Sequence, residues 1–193
     1  TSMREADIQP SRLQRARPKI SDLMALRPDT QAALVVYAGT AHSVLSLTAE
    51  QEILNQYLAA IKPASLPRPG KVPAYSLPLV DEILRETTAP ATVVLFTDGL
   101  GAGSEAAFKD YFAQRPHQLL VVGVGSESVA DGQAPLEKRR LERLAEAANG
   151  RYLALTVDDA DVRQLERRVD SHYVIVEDSA LPWLDSGYPL VFP

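Results

Sequence analysis

At 193 residues, 46% hydrophobic and 23% charged, the chain has the size and make-up of one globular domain with a short appendage. Its net charge of −5 and pI near 5.2 argue against a nucleic-acid partner. The absence of cysteine excludes disulfides, thiolate catalysis and cysteine-ligated zinc, and leaves the redox compartment open.

The chain opens on Thr1-Ser2-Met3 with no strand before it, which reads as a cut end. Ser11 is placed to cap a helix carrying Leu13, Ala16, Ile20, Leu23 and Met24 at helical spacing. Pro18 should kink or divide that helix, and Pro28 follows its end. The run 32–38 reads as a buried strand; after a turn at Gly39, residues 42–47 alternate, so the two predict a hairpin with a polar edge strand. Thr48 and Gln51 form a capping-box pair for a helix over 49–61, with Ile53, Leu54, Tyr57, Leu58 and Ile61 as its apolar face. Prolines at 63, 67, 69, 73 and 78, interrupted by Gly70 and Lys71, predict a stiff irregular loop of the kind that holds a site.

The second half alternates strands at 92–96, 119–124 and 152–156 with helices at 105–113, 136–148 and 161–170. That rhythm implies right-handed crossovers and predicts a doubly wound α/β fold, a mainly parallel sheet with helices on both faces. The end of the chain, with Trp183 and Tyr188, suits either the approach to a membrane helix or a tail packed on its own domain. No complete signal peptide or membrane span stands within the 193 residues.

The apolar run 91–96 closes on Thr97-Asp98-Gly99, putting a carboxylate at the end of a buried strand, where open α/β sheets bind ligands. Such a carboxylate suits a hard divalent cation, directly or through water; alternatively it caps the following turn. The glycines of Gly99-Leu-Gly101-Ala-Gly103 invite a phosphate at the next helix N-terminus. Their spacing departs from GxGxxG, however, and Asp98 would set a negative charge beside a pyrophosphate. A small α/β enzyme binding a phosphorylated ligand between Gly99 and Ser104 is therefore the alternative function. Nucleophilic catalysis has little support: there is no GxSxG elbow, and His42, His117 and His172 fall on segments with no reason to meet. The mixed charges of Glu137, Lys138, Arg139, Arg140, Glu142, Arg143 and Glu146 read as a solvated helix face. Asp158-Asp159 reads as a helix start.

Taken in order, these pieces resemble a von Willebrand factor type A domain, more narrowly the Bat-type aerotolerance proteins of bacterial membranes. Asp7-Ile8-Gln9-Pro10-Ser11-Arg12-Leu13-Gln14-Arg15-Ala16 resembles the family's passage from strand one into helix one, and Ser46-Leu47-Thr48 its approach to the next helix. Val94-Leu95-Phe96-Thr97-Asp98-Gly99 resembles its TDG strand, and Val121-Val122-Gly123-Val124-Gly125 the strand after it. The resemblance spans residues 2–172, so the expected division is a domain over 1–172 and a tail over 173–193 leading toward a membrane helix.

In that family Mg²⁺ or Mn²⁺ sits in a metal-ion-dependent adhesion site built from a DxSxS motif, a loop threonine and the TDG aspartate. Carried over, Asp98 matches the aspartate and Ser2 the final serine of DxSxS, whose earlier members would precede Thr1. In the loop around Gly70 the threonine falls on Lys71 and the next position on Val72. An ammonium there competes with a cation and can pair with Asp98, so a weakened or metal-free site is expected, unless Lys71 faces solvent and a hydroxyl such as Ser76 approaches the metal. The resemblance implies a non-enzymatic protein-interaction module using Lys71, Gly70 and Gly99. It also implies sister von Willebrand A proteins and a MoxR-type AAA+ ATPase as partners, a role in stress tolerance or complex assembly, and a place on the bacterial cytoplasmic membrane facing the periplasm. The family's first strand, central in its sheet, is absent from these residues; upstream chain, a partner strand or residues 173–176 are the expected ways to fill its place.

Overall fold

The computed structural model describes residues 3, 7, 10–62, 68–85, 87, 89–128 and 133–180, the last eight as backbone alone. Ser2, Pro63, Pro67, Trp183 and Tyr188 lie outside them.

The first helix, α1 (Arg12–Ala25), starts as its sequence predicts: Ser11 is extended and its hydroxyl accepts from the Gln14 amide at 3.2 Å. Pro18 does not divide it. The buried positions are Arg12, Ala16, Lys19 and Leu23, a helical stripe on which two cations lie inward. Lys19 is neutralised by Asp161 at 2.8 Å.

Strands β1 (Ala32–Tyr37) and β2 (Ala41–Thr48) form the predicted antiparallel hairpin. Helix α2 (Gln51–Ala60) follows, but without the expected capping box. The Thr48 hydroxyl accepts from the Glu50 amide, and Gln51 instead donates its side-chain amide to the Met24 carbonyl at 2.7 Å. Gln51 is thus spent on docking α2 against α1. The apolar face is also narrower than expected, with Leu54 and Leu58 buried and Ile53 and Tyr57 exposed.

The proline-rich segment is only partly irregular. A 3₁₀ turn at Pro73–Ser76 leads into α3 (Leu77–Leu84), which holds Pro78 within its first turn. Proline is compatible there because the first helical amides have no partner within the helix.

Three parallel strands, β3 (Thr92–Thr97), β4 (Gln118–Gly123) and β5 (Arg151–Ala154), alternate with α4 (Ser104–Ala113), α5 (Lys138–Ala147) and α6 (Ala160–Ala180). β4 is the middle strand, and Leu119, Leu120, Val121 and Val122 are fully buried. Successive side chains of a strand point to opposite faces. Leu119 and Val121 therefore pack with Phe108, Phe112, Leu141 and Leu144, whereas Leu120 and Val122 pack with Leu23, Val162 and Leu165. Helices cover both faces, as a doubly wound fold requires.

The sheet is in two pieces. Among the described residues β1 pairs only with β2, and β3 only with β4. A cavity of about 1040 Å³, lined along the lengths of both β1 and β3, lies between them. Residues 173–176 do not fill it: they continue α6, which runs to Ala180 across the anticipated boundary at 172.

Candidate functional site: a carboxylate held by two cations

β3 surfaces at Thr97 and delivers Asp98 to the carboxyl edge of the sheet, where the Asp98 side chain is 3% exposed. The turn is fixed locally, since the Thr97 hydroxyl donates to the Gly99 carbonyl at 2.8 Å and the Asp98 carbonyl accepts from the Glu137 amide at 3.1 Å.

Each oxygen of the Asp98 carboxylate faces a cation. Nη1 of Arg12 donates to Oδ2 at 2.8 Å, and Nζ of Lys71 lies 3.2 Å from Oδ1. Arg12, with no exposed side-chain surface, also donates from Nε and Nη2 to the two oxygens of Asp7 at 2.8 and 2.9 Å, and to the Ala134 carbonyl at 2.6 Å. Burial alone would depress its pKa, but the bonds to Asp7 and Asp98 and their negative charges outweigh that cost and raise it. Asp7 in turn accepts from the Ser126 amide at 2.7 Å, tying the start of the chain to the loop after β4.

Lys71 is held in place through its backbone. Its carbonyl accepts from the Gly101 amide, the Val72 amide donates to the Ala38 carbonyl at 3.0 Å, and the Gly39 amide donates to the Arg68 carbonyl at 3.0 Å. Gly70 lies so close to Gly39 that a Cβ on it would stand 2.7 Å from the Gly39 Cα. The loop is thus clamped to the end of β1, and the lysine side chain, 25% exposed, reaches across to Asp98.

Glu137 completes the group. Its Oε1 lies 4.0 Å from the Lys71 ammonium, it pairs with Arg140, and its Oε2 accepts from the Leu100 amide at 3.4 Å. Gly99 leaves room for it, because a Cβ there would meet Oε1 at 2.4 Å. Residue 137 is therefore not part of a merely solvated face: it turns into the crevice from the start of α5. Among the described residues, the carboxylates of Asp7, Asp98 and Glu137 meet the cations of Arg12, Lys71 and Arg140.

A divalent cation at Asp98 would stand against two positive groups already in contact with that carboxylate. Ser76 is buried, and its Oγ donates to the Pro73 carbonyl at 2.7 Å. Among the described residues no group of three or more His, Cys, Asp or Glu is arranged to hold a metal. A phosphate between Gly99 and Ser104 would meet the Glu137 carboxylate where it bonds the Leu100 amide. His117 lies at the other end of β3, where it accepts from the Ala91 amide, about 23 Å of extended strand from Asp98. His42 bonds Thr40, and His172 lies on α6.

Sequence reasoning singled out Asp98, Lys71, Gly70 and Gly99, which come together, and missed Asp7, Arg12 and Glu137. One signal for Arg12 was legible, its place on the same helical stripe as Ala16 and Leu23. Nothing local marks Glu137, whose role depends on how the long loop after β4 returns.

This crevice, at the carboxyl ends of parallel strands covered by helices, defines the class as a doubly wound α/β domain with a ligand-facing strand end. The chain belongs to the von Willebrand factor type A domain family, whose model matches residues 1–100. No curated protein matches it. Among solved structures it is similar to BatB of Bacteroides thetaiotaomicron, at 20% identity and TM-score 0.80, over 89% of this chain and 93% of that one. It is also similar to an aerotolerance-related membrane protein of Bacteroides fragilis NCTC 9343, at 21% identity and TM-score 0.76, over 90% and 94%. The vWF domain of the type V pili tip protein Mfa5 of Porphyromonas gingivalis aligns at 10% identity and TM-score 0.62, over 83% and 89%. These likenesses show the fold.

Proposed function

We propose that this domain is a non-enzymatic protein-interaction module of a Bat-type bacterial membrane protein, and that its adhesion site works without the metal. The observation that carries the reading is the occupation of both Asp98 oxygens, by Arg12 and by Lys71. Arg12 is sealed inside, whereas Lys71 is partly exposed, so a partner's acidic group meets the lysine directly and not a bound ion. Ser2, Asp98 and any Mg²⁺ or Mn²⁺ then form at most a weak site, with Gly70 and Gly99 shaping its rim. The partners we propose are sister von Willebrand A proteins and a MoxR-type AAA+ ATPase, in stress tolerance or complex assembly at the cytoplasmic membrane on its periplasmic side; what supports the reading is the family match and the fold shared with BatB and an aerotolerance-related membrane protein. Among the described residues no helix is long and apolar enough to cross a membrane.

Titration calorimetry tests the metal-free reading. The whole polypeptide is expected to show no saturable heat with millimolar Mg²⁺ or Mn²⁺; saturable binding abolished by Asp98→Ala would overturn it. For the partner surface, co-expression with the MoxR-type ATPase should give a complex that Lys71→Glu weakens at least tenfold. Equal binding by wild type, Lys71→Glu and Asp98→Ala would remove the crevice from the interface.

A further inference from the structure

We infer that the crevice contains a carboxylate seat which the chain fills with its own Glu137, and that an acidic side chain of a partner protein reaches Lys71 by displacing Glu137 onto Arg140. The inference rests on the reading that a partner's acid meets Lys71 directly, and adds the internal competitor that this acid must replace.

The seat is defined by its donors. Two of them converge on the Glu137 carboxylate: the Lys71 ammonium, 4.0 Å from Oε1, and the Leu100 amide, 3.4 Å from Oε2. An ammonium carries three N–H donors, so the contact of Lys71 with Asp98 at 3.2 Å leaves capacity for a second carboxylate. An ammonium and a backbone amide side by side suit any carboxylate, whether the chain's own or an incoming one.

Glu137 is held loosely in that seat. Charge-assisted bonds from N–H to carboxylate run to about 2.7–2.9 Å, and Arg12 donates to Asp98 and to Asp7 at 2.8 Å. Both crevice contacts of Glu137 are longer. Its other partner is Arg140, one turn along α5 and 44% exposed. A displaced Glu137 therefore keeps a cation, and the exchange leaves no carboxylate unpaired. The exchange also needs no movement of the main chain. The Glu137 amide donates to the Asp98 carbonyl at 3.1 Å, and its carbonyl accepts from the Arg140 amide at 2.9 Å, so rotation of the side chain suffices.

Exposure sets the route. The side chains of Lys71 and Glu137 are 25% and 28% exposed, whereas that of Asp98 beneath them is 3% exposed. An incoming group meets the ammonium and Glu137 before it can meet Asp98. Gly99 shapes the floor. Among the described glycines Gly103 and Gly125 have positive φ and Gly99 does not, so its backbone makes no demand for glycine. The demand comes from Glu137: a Cβ on residue 99 would stand 2.4 Å from Oε1 and 2.7 Å from Cδ. Charge then selects the occupant. With Asp98 beside Lys71, a dianion meets more repulsion than a carboxylate, which replaces Glu137 like for like.

The whole polypeptide, labelled with ¹⁵N, would be titrated with an end-blocked glycine peptide carrying one aspartate and with its asparagine counterpart, following the amides of Leu100 and Val72. Saturable shifts are expected with the aspartate peptide alone. Glu137→Gln should bind it about tenfold more tightly than wild type, the factor that follows if the seat is open about one tenth of the time. Gly99→Ala, which crowds Glu137 out with its charge intact, should also tighten binding. Arg140→Ala, which removes the alternative partner, should weaken it, and Lys71→Met should abolish it. Urea midpoints near that of wild type would show that each variant folds. Equal or weaker binding by Glu137→Gln, with loss in Lys71→Met, would overturn the displacement and leave the acid-binding reading standing. Absence of binding in every variant would overturn both, and a response to inorganic phosphate but not to the aspartate peptide would overturn the carboxylate seat.

Discussion

Arg12 holds two buried carboxylates with one guanidinium, and removing it leaves both without their principal cation. Breaking a buried pair in this way costs about 3–5 kcal/mol, so Arg12→Ala should lower the urea midpoint far more than Lys71→Ala, whose ammonium is partly in water. Tyr37 gives a test in pH. Burial, reinforced by the charge of Asp98 and partly offset by a bond to Thr97, holds its phenol well above the ordinary value. The folded protein keeps that proton while the unfolded chain ionises near pH 10, so the contribution is whole below pH ~10 and falls as pH rises further. Tyr37→Phe should flatten the stability decline measured between pH 10 and 12, and should cost about 1 kcal/mol at neutral pH for the bond to Phe96. The phenol of Tyr152 is likewise raised, to about 12, by burial and then by Glu142 and Glu127, but among the described residues its hydroxyl has no hydrogen-bond partner. At this scale Asp98 was legible because an acid closing an apolar run is conspicuous. Glu137 was not, because its neighbours in sequence are ordinary surface charges.

At the scale of elements, strands and most helices follow their patterns, and the departures occur where tertiary contacts compete with local signals. The Thr48–Gln51 pair is a sound capping box in isolation, yet Gln51 is drawn to the Met24 carbonyl of α1. Helix α3 was hidden because Pro73 and Pro78 read as loop, although Pro78 sits where a helix tolerates it. The loop carrying Lys71 is an element of another kind, fixed by backbone contact with the end of β1. Gly70→Ala would drive a methyl group into the Gly39 backbone. A loss of about 1–3 kcal/mol in urea unfolding is expected from such overpacking, with faster amide exchange at Val72, whose bond to Ala38 depends on that approach.

For the whole molecule, the class was readable from the alternation of strands and helices, because each crossover forces parallel pairing and two covered faces. The division of the sheet was foreshadowed only by resemblance, since no local pattern in 32–38 or 91–97 tells a strand with one neighbour from a strand with two. Its energetic consequence is uneven stability. Native-state exchange should show β4 amides opening only with global unfolding, and hairpin amides of β1 and β2 opening at a clearly lower free energy; equal values would contradict the packing described. The bonds of Arg12 to Asp98 and Ala134 join positions 86 and 122 apart in the chain, and that of Asp7 to Ser126 joins positions 119 apart. Contacts of such separation carry the closure cost of all the chain between them. The crevice is complete only when distant parts of the chain have come together, so a partner that recognised its closed form would tell a finished domain from a nascent one.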